Sequence, residues 1–348
     1  MTALKNRRCS ILLGLAAAAS LLELGPIVFE LQRGAGLLAI LLAGLAYQVG
    51  NFVPRLFVIR SGWLAGSAAV FGSFGLVTAP AGTPAWLATI ALLSWTLQSV
   101  RRSVKAQDGG DLPTTVEKRT ARVIGFVAAS LLPPIIMLAI VIGLLAAALP
   151  EMPKIQWSLP RSRRRVWHPL EWTMLVHQTH YFAYAYAVPL LVATTTLGGT
   201  HLVGFWFACG WVTYLSAEAI WRRCPPQFAF ISGHLLLAAV LLLLSWFGNA
   251  PLAAATFWIL SGFGGGTVYC LPLLHDQAGL SHEQLEGTED VGHLLGIAVA
   301  IVGVLTVDWT EGTLPAVGAG FAVVAATMMI AMVLHSRSSS IRIEKPRR

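Results

Sequence analysis

The sequence predicts an all-α polytopic membrane protein, two helical bundles holding about 11–12 transmembrane helices. Three observations carry that expectation. Of 348 residues, 56% are hydrophobic and only 11% charged, with a mean hydropathy of +0.69, whereas soluble domains carry roughly 25% charged residues. Apolar blocks of about 20 residues, the length that crosses hydrocarbon, recur along the whole chain. The cations behind the formal net charge of +8 fall in short runs between those blocks, as they do in the cytoplasmic loops of such proteins. A lipid bilayer is therefore the expected surrounding, and no nucleic-acid partner is expected.

In chain order the blocks lie at 10–31, 36–58, 62–80, 84–100, 121–149, 173–197, 200–221, 228–248, 251–274, 289–308 and 314–335. They are long and continuous, not alternating over about ten residues as barrel strands would be. Most breaks carry turn chemistry: QRGAG, APAGTP, LGGT, FGNAP and WTEGTLP. The opening MTALKNRRCSILLGLAAAASLLELGP has the basic-then-apolar order of a signal peptide. Its apolar run continues through 27–31, however, so it reads as the first span. The block at 121–149 has basic loops at both ends. It is either one span with a basic loop outside or, as preferred here, two short tilted helices turning back near Pro133 and Pro134. In the second half the loops PRSRRRVWHP and IWRRCPPQ and the tail SRSSSIRIEKPRR are basic and read as cytoplasmic. TTTLGGTH, GNAP and DWTEGT lack Lys and Arg and read as external. The expected division is an N-terminal bundle at 1–150, a basic interfacial linker at 151–170, a six-helix bundle at 171–336 and a basic tail at 337–348. The expected location is the inner (plasma) membrane, multi-pass, with both termini cytoplasmic.

Two helical halves joined by a basic linker resemble the layout of the major facilitator superfamily. The segment ATFWILSGFGGGTVYCLPLLHDQAGLSHEQLEGTEDVGHLLGIAVAIVGVL resembles that family's glycine-rich tenth helix, polar loop and eleventh helix. EAIWRRCPPQ sits where the family places its basic loop between helices eight and nine, and PRLFVIRSG occupies the matching position between helices two and three. The family's glycine–aspartate–arginine loop motif is not recognisable, one span of the first half reads as truncated, and the chain is short for the family. The resemblance implies secondary transport of a small molecule by alternating access, with the first, fourth, seventh and tenth helices lining a central cavity.

Ionisable groups within spans are costly and mark function by default. All nine histidines lie beyond residue 167. Within HQTHYFAYAYAVPLL (177–191), His177 and His180 are three apart, and Tyr181 and Tyr184 continue the same helical face. Through the resemblance this stripe faces the cavity as proton relay and substrate contact. Helix packing is the bland alternative. Metal ligation by His177 and His180 is the other, and it needs a third and fourth ligand. No cofactor is otherwise expected, a divalent metal ion being the alternative. Glu23 and Glu30 lie seven apart on one face of the first helix. A carboxylate in apolar surroundings can exchange a proton near neutral pH, as proton-coupled transport requires, and Gly25 and Pro26 between them loosen the helix. Glu30, near a turn, has the simpler option of reaching the interface. Trp95 and Gln98 on the fourth helix and Tyr269 on the tenth join the cavity candidates by the same resemblance.

Other polar groups have plainer expectations. Gln48 and Asn51 read as interhelical hydrogen bonds, and Glu218 with Arg222 as an i,i+4 ion pair. His234 reads equally as a satisfied buried histidine or a functional one. The acidic segment 275–293 reads as a solvated loop with Thr288 capping the next helix, cation binding being the alternative. GFGGGT (262–267) lacks the lysine of a phosphate loop and reads as close packing or a helix bend. The cysteines (Cys9, Cys209, Cys224, Cys270) lie far apart and read as free thiols. No catalytic motif is present, so a transporter is expected rather than an enzyme, coupled to protons and exporting a small molecule. The alternatives are a polytopic membrane enzyme or metal-binding protein using His177 and His180, or a non-transporting scaffold.

Overall fold

The computed structural model describes residues 2–59, 61–106, 113, 115–152, 167–194, 199–280 and 282–343. Arg60, most of the expected linker with its basic run at 161–165, and the last residues of the basic tail lie outside them.

Every regular element among the described residues is helical: α1 (Thr2–Gln32), α2 (Leu37–Phe52), α3 (Gly62–Thr78), α4 (Pro84–Lys105), α5 (Thr115–Leu131), α6 (Pro134–Ala148), α7 (Pro169–Tyr184), α8 (Val188–Thr194), α9 (Val203–Trp221), α10 (Pro226–Phe247), α11 (Pro251–Gly265), α12 (Cys270–Gln277), α13 (His282–Val307) and α14 (Leu314–Ile343), with short 3₁₀ turns between some of them. Seven stretches are long and apolar enough to cross a bilayer by length and composition: Arg7–Gln32, Leu37–Arg55, Pro134–Glu151, Pro226–Phe247, Pro251–Gln277, Gln284–Val307 and Leu314–Ser336. Large apolar side chains such as Trp63, Phe71, Phe74, Trp246 and Leu252 are exposed. In water they would form an aggregation surface, whereas in hydrocarbon they are the expected outer face. The chain is an all-α, multi-pass membrane protein.

Local chemistry sets the helix starts. Pro84, Pro134, Pro169, Pro226 and Pro251 each open a helix, where a missing N–H costs no hydrogen bond. Thr83 accepts from the Trp86 amide at 3.3 Å, and His168 and Glu171 close a reciprocal capping box at the start of α7. The 121–149 block is two helices, parted at the Pro133–Pro134 pair as preferred from sequence. The 173–197 block, expected as one span, is broken: residues 185–187 form a turn between α7 and α8. Pro189 cannot donate to the carbonyl four residues back, so an unbroken helix would leave the Ala185 carbonyl without its donor. GFGGGT does bend its helix, through a 3₁₀ turn at Gly266–Tyr269 between α11 and α12. The acidic segment is mostly helix and not loop. Gly279, at φ +69°, ends α12, and α13 starts at His282. Thr288 is buried inside α13, its hydroxyl donating to the Leu285 carbonyl at 2.8 Å, so it is no cap.

The described residues divide into two compact units. The first draws on Met1–Arg163, Tyr186–Trp211 and Ile301–Glu311; the second on Arg164–Ala185, Val212–Ala300 and Gly312–Arg348. In the first, α1 is the central rod, packed by α2, α4, α5 and α6. Gly14 lies against Leu144 and Gly25 against Met137, so α6 runs antiparallel to α1. Gly125 of α5 lies so close to the Ala17 carbonyl and Ser20 that no Cβ fits. Gly50 meets the Ala91 carbonyl in the same way, and beside it Ser94 donates to the Tyr47 carbonyl at 2.8 Å, fixing α4 to α2. In the second unit α14 packs on α7 and α10, and α10 on α11. Its core includes Met174, Phe230, Leu271, Leu285 and Met329.

The Gly125 contact yields a test. Gly125→Val must push α5 off α1, and overpacking of this kind costs about 1–3 kcal/mol. A lowered thermal midpoint in detergent is expected relative to Gly143→Val, since Gly143 faces open space. Equal midpoints for the two variants would contradict the close approach.

Candidate functional site

Among the described residues, each unit holds a cluster of buried polar groups. In the first, Glu23 on α1 is the hub. Its Oε2 accepts from Arg122 Nη2 on α5 at 2.8 Å, and its Oε1 accepts from the Tyr186 hydroxyl at 3.1 Å. Tyr186 in turn accepts from Gln48 Nε2 on α2 at 2.9 Å, and Asn51 donates to Gln48 Oε1 at 3.2 Å. Arg122 Nε lies 3.4 Å from Ser20 Oγ, and its guanidinium sits 4.6 Å from the centre of the Trp211 ring. Such stacking leaves the guanidinium plane covered while its edge serves the carboxylate. Tyr47 is buried beside this network, with Gln98 in hydrogen-bond reach of its hydroxyl. Both oxygens of Glu23 are satisfied, and its charge is matched by one guanidinium.

In the second unit three histidines meet. His177 and His180 on α7 and His234 on α10 are buried, and one ring nitrogen of each lies within 4.8 Å of the others. His177 Nδ1 is 2.8 Å from His234 Nε2, and His234 Nδ1 is 2.9 Å from the Phe230 carbonyl. A carbonyl can only accept, so His234 Nδ1 carries a proton. In the neutral ring its Nε2 is then a lone pair aimed at His177. Phe230 stacks on the His234 ring at 3.8 Å between centres, and Thr267 Oγ1 lies 3.4 Å from His234 Nδ1. His180 is fully buried, and its ring nitrogens have no side-chain partner among the described residues, only the backbone of His177 one turn back beside them. Such a group costs about 1–3 kcal/mol in a folded protein.

The residues singled out from sequence fall into distinct settings. His177 and His180 are brought together with His234, a third imidazole within reach of the pair. Tyr184 continues their face, its ring 6.1 Å from His180 and 6.2 Å from Trp258. Tyr181 lies at the edge of the stripe, half-buried against Phe182 and Tyr184. Tyr269 sits in the 3₁₀ turn between α11 and α12, half-buried against the core near Cys270. Trp95 donates to the Phe57 carbonyl at 2.7 Å and so pins α4 to the segment after α2. Glu30 is buried near the end of α1, with Oε1 lacking a partner among the described residues. Gln48 reaches the Tyr186 hydroxyl in the turn between α7 and α8 and Asn51 bonds Gln48 within α2, so neither makes the helix-to-helix bond expected of it; Glu218 pairs with Arg222 at 2.7 Å. Arg122 and Tyr186 were missed. Arg122 follows KRTA and read as one more loop cation, although it stands seven residues into α5. Only its place just ahead of VIGFVAAS could have marked it.

The fold is shared with known transporters. The nucleoside transporter NupG superposes with a TM-score of 0.64 at 15% identity, covering 95% of this chain and 99% of that one. The human organic anion transporter MFSD10 gives 0.56 at 14% identity, covering 93% and 99%. A bacterial metal transporter gives 0.62 at 13% identity, covering 94% and 97%. These likenesses show that the chain shares the fold of those transporters, as the resemblance led one to expect. No protein-family model matches the chain, and no curated protein does.

The Glu23–Arg122 pair predicts strong non-additivity. Arg122→Leu leaves a buried carboxylate alone and is expected to cost about 2–4 kcal/mol. Adding Glu23→Gln to that variant should recover most of the loss. A double-mutant cycle on unfolding in detergent measures the coupling, and additive single effects would exclude the pair.

Proposed function

We propose that the chain is a secondary active transporter of the inner membrane, both termini cytoplasmic, that exchanges a proton at Glu23. The fold it shares with transporters supports the class. One observation supports the coupling: among the described residues, the Glu23 carboxylate is held by a guanidinium from α5 and by a hydroxyl that also serves α2. A proton on Glu23 competes with Arg122 for the same oxygen. When the carboxyl is neutral the ion pair is gone, and the contact between α1 and α5 loses its strongest element. A charge change at one atom thereby alters how helices pack, which is what coupling to an alternating-access cycle requires.

Tyrosines and carboxylates in apolar helices suit a small aromatic or cationic substrate, with export as the proposed direction. The structural neighbours move a nucleoside, an organic anion and a metal, so the fold does not choose among these classes. Transport is proposed over enzymatic chemistry on the strength of the fold shared with transporters.

Proteoliposomes with pyranine inside separate the parts of this reading. A panel of radiolabelled nucleosides, small aromatic cations and small aromatic anions should include one species that exchanges across the bilayer and moves protons with it. Glu23→Gln is expected to keep substrate exchange while losing both proton movement and gradient-driven accumulation. A Glu23→Gln variant that still accumulates substrate against its gradient would sink the coupling role. A wild-type protein that exchanges nothing in the panel would count against transport of these classes.

A further inference from the structure

We propose that His177, His180 and His234 form a binding site for one transition-metal ion of the borderline class, Zn²⁺ being its representative. The inference does not rest on proton-coupled transport and concerns a different unit of the chain.

The donor set comes first. Three imidazoles, with no thiolate in the cluster, suit Zn²⁺, Ni²⁺ and copper and are poor ligands for Mg²⁺ or Ca²⁺, which take oxygen. The geometry comes second. Tetrahedral coordination with metal–nitrogen bonds of about 2.0–2.1 Å sets ligand nitrogens about 3.3 Å apart. His177 Nδ1 and His234 Nε2 stand 2.8 Å apart, so the proton they share can be exchanged for a metal with an opening of about half an ångström. The third nitrogen, from His180, lies within the same 4.8 Å cluster.

The surroundings supply two further arguments. A metal-bound histidine ordinarily donates its other ring N–H to a carbonyl, which fixes the ligating nitrogen. His234 does this through Nδ1 and the Phe230 carbonyl, and Phe230 stacks on the ring to hold its plane. His180 supplies the other argument. A fully buried imidazole with no side-chain partner among the described residues, beside only the backbone of His177, carries a cost that a bound ion removes. His177 and His180 lie one turn apart on α7, and His234 comes from α10, so an ion at this point would tie two helices. Three neutral ligands leave one tetrahedral position and the ion's charge unanswered. The fourth ligand is therefore expected to be water, hydroxide or an anionic group of a transported molecule.

The test uses the full-length protein in detergent, its affinity tag removed, with Zn²⁺ as the probe. After exposure to Zn²⁺ and removal of excess, elemental analysis should find one ion per chain. His180→Ala should weaken Zn²⁺ binding by at least about 10-fold, and His177→Ala and His234→Ala likewise. His335→Ala, outside the cluster, should bind as wild type. Because a histidine variant can simply misfold, Co²⁺ loaded into the wild-type protein gives an independent reading. Intense tetrahedral absorption bands with X-ray absorption fitting three imidazoles support the site; an octahedral, oxygen-rich spectrum overturns it. Unchanged Zn²⁺ binding in His180→Ala also overturns it, as does the absence of a bound ion in the unmutated chain. Glu23→Gln should leave Zn²⁺ binding intact, so loss of proton coupling and loss of the metal site are told apart.

Discussion

A carboxylate in the middle of an apolar helix has to be answered from within the protein, and in the first unit that need organises the packing. Glu23 is answered by α5 through Arg122 and by Tyr186, and Tyr186 is answered by α2 through Gln48. With no water to complete a half-made network, removing one member exposes the next. The same demand explains the smaller polar groups. Thr96, Thr173 and Thr179 each return a hydroxyl proton to the carbonyl four residues back in their own helix. These bonds place a polar side chain in an apolar setting without asking anything of a neighbouring helix.

The ion pair requires a second condition, that α1 and α5 come close. In hydrocarbon there is little hydrophobic drive between helices, and close backbone contact takes its place. The run of alanines at 16–19 with Ser20 gives α1 a nearly smooth surface, and Gly125 lets α5 rest on it. Arg122 is one turn earlier on α5, so the glycine that sets the distance and the cation that uses it share a face. α2 and α4 repeat the arrangement with Gly50, Ser94 and the Tyr47 carbonyl, which holds Tyr47 beside the Glu23 network.

Much of this was legible in the sequence because hydrocarbon leaves few options. Long apolar runs can only be helices, and Pro133–Pro134, Pro189 and GFGGGT each mark a change in helix course. The misreadings have local causes. Acidic residues ahead of an apolar run look like a solvated loop, yet Gly279 had already closed α12 and freed α13 to begin at His282. Composition could not reveal that Thr288 is buried in that helix. Partners distant in sequence were less visible still. His177 and His234 are 57 positions apart, and Glu23 and Tyr186 are 163 apart. Spacing along a helix detects a stripe such as His177–His180–Tyr184, but it cannot say which helix supplies the missing imidazole or guanidinium.

The two centres differ in how completely their polar groups are answered, and that difference separates their roles. Around Glu23 each carboxylate oxygen has a donor and the charge has a counter-charge. Such a centre is complete without a ligand, and removing either partner would leave a carboxylate oxygen unanswered. Around His180 the reverse holds. His234 is held at one nitrogen by a carbonyl and offers the other to His177, while His180 has no side-chain partner among the described residues. Packing alone would have been served better at that position by leucine or phenylalanine, which bring no polar atoms to satisfy. An imidazole placed there, one turn from a second and across from a third already oriented by its backbone, fits the metal ion proposed for this centre better than it fits packing.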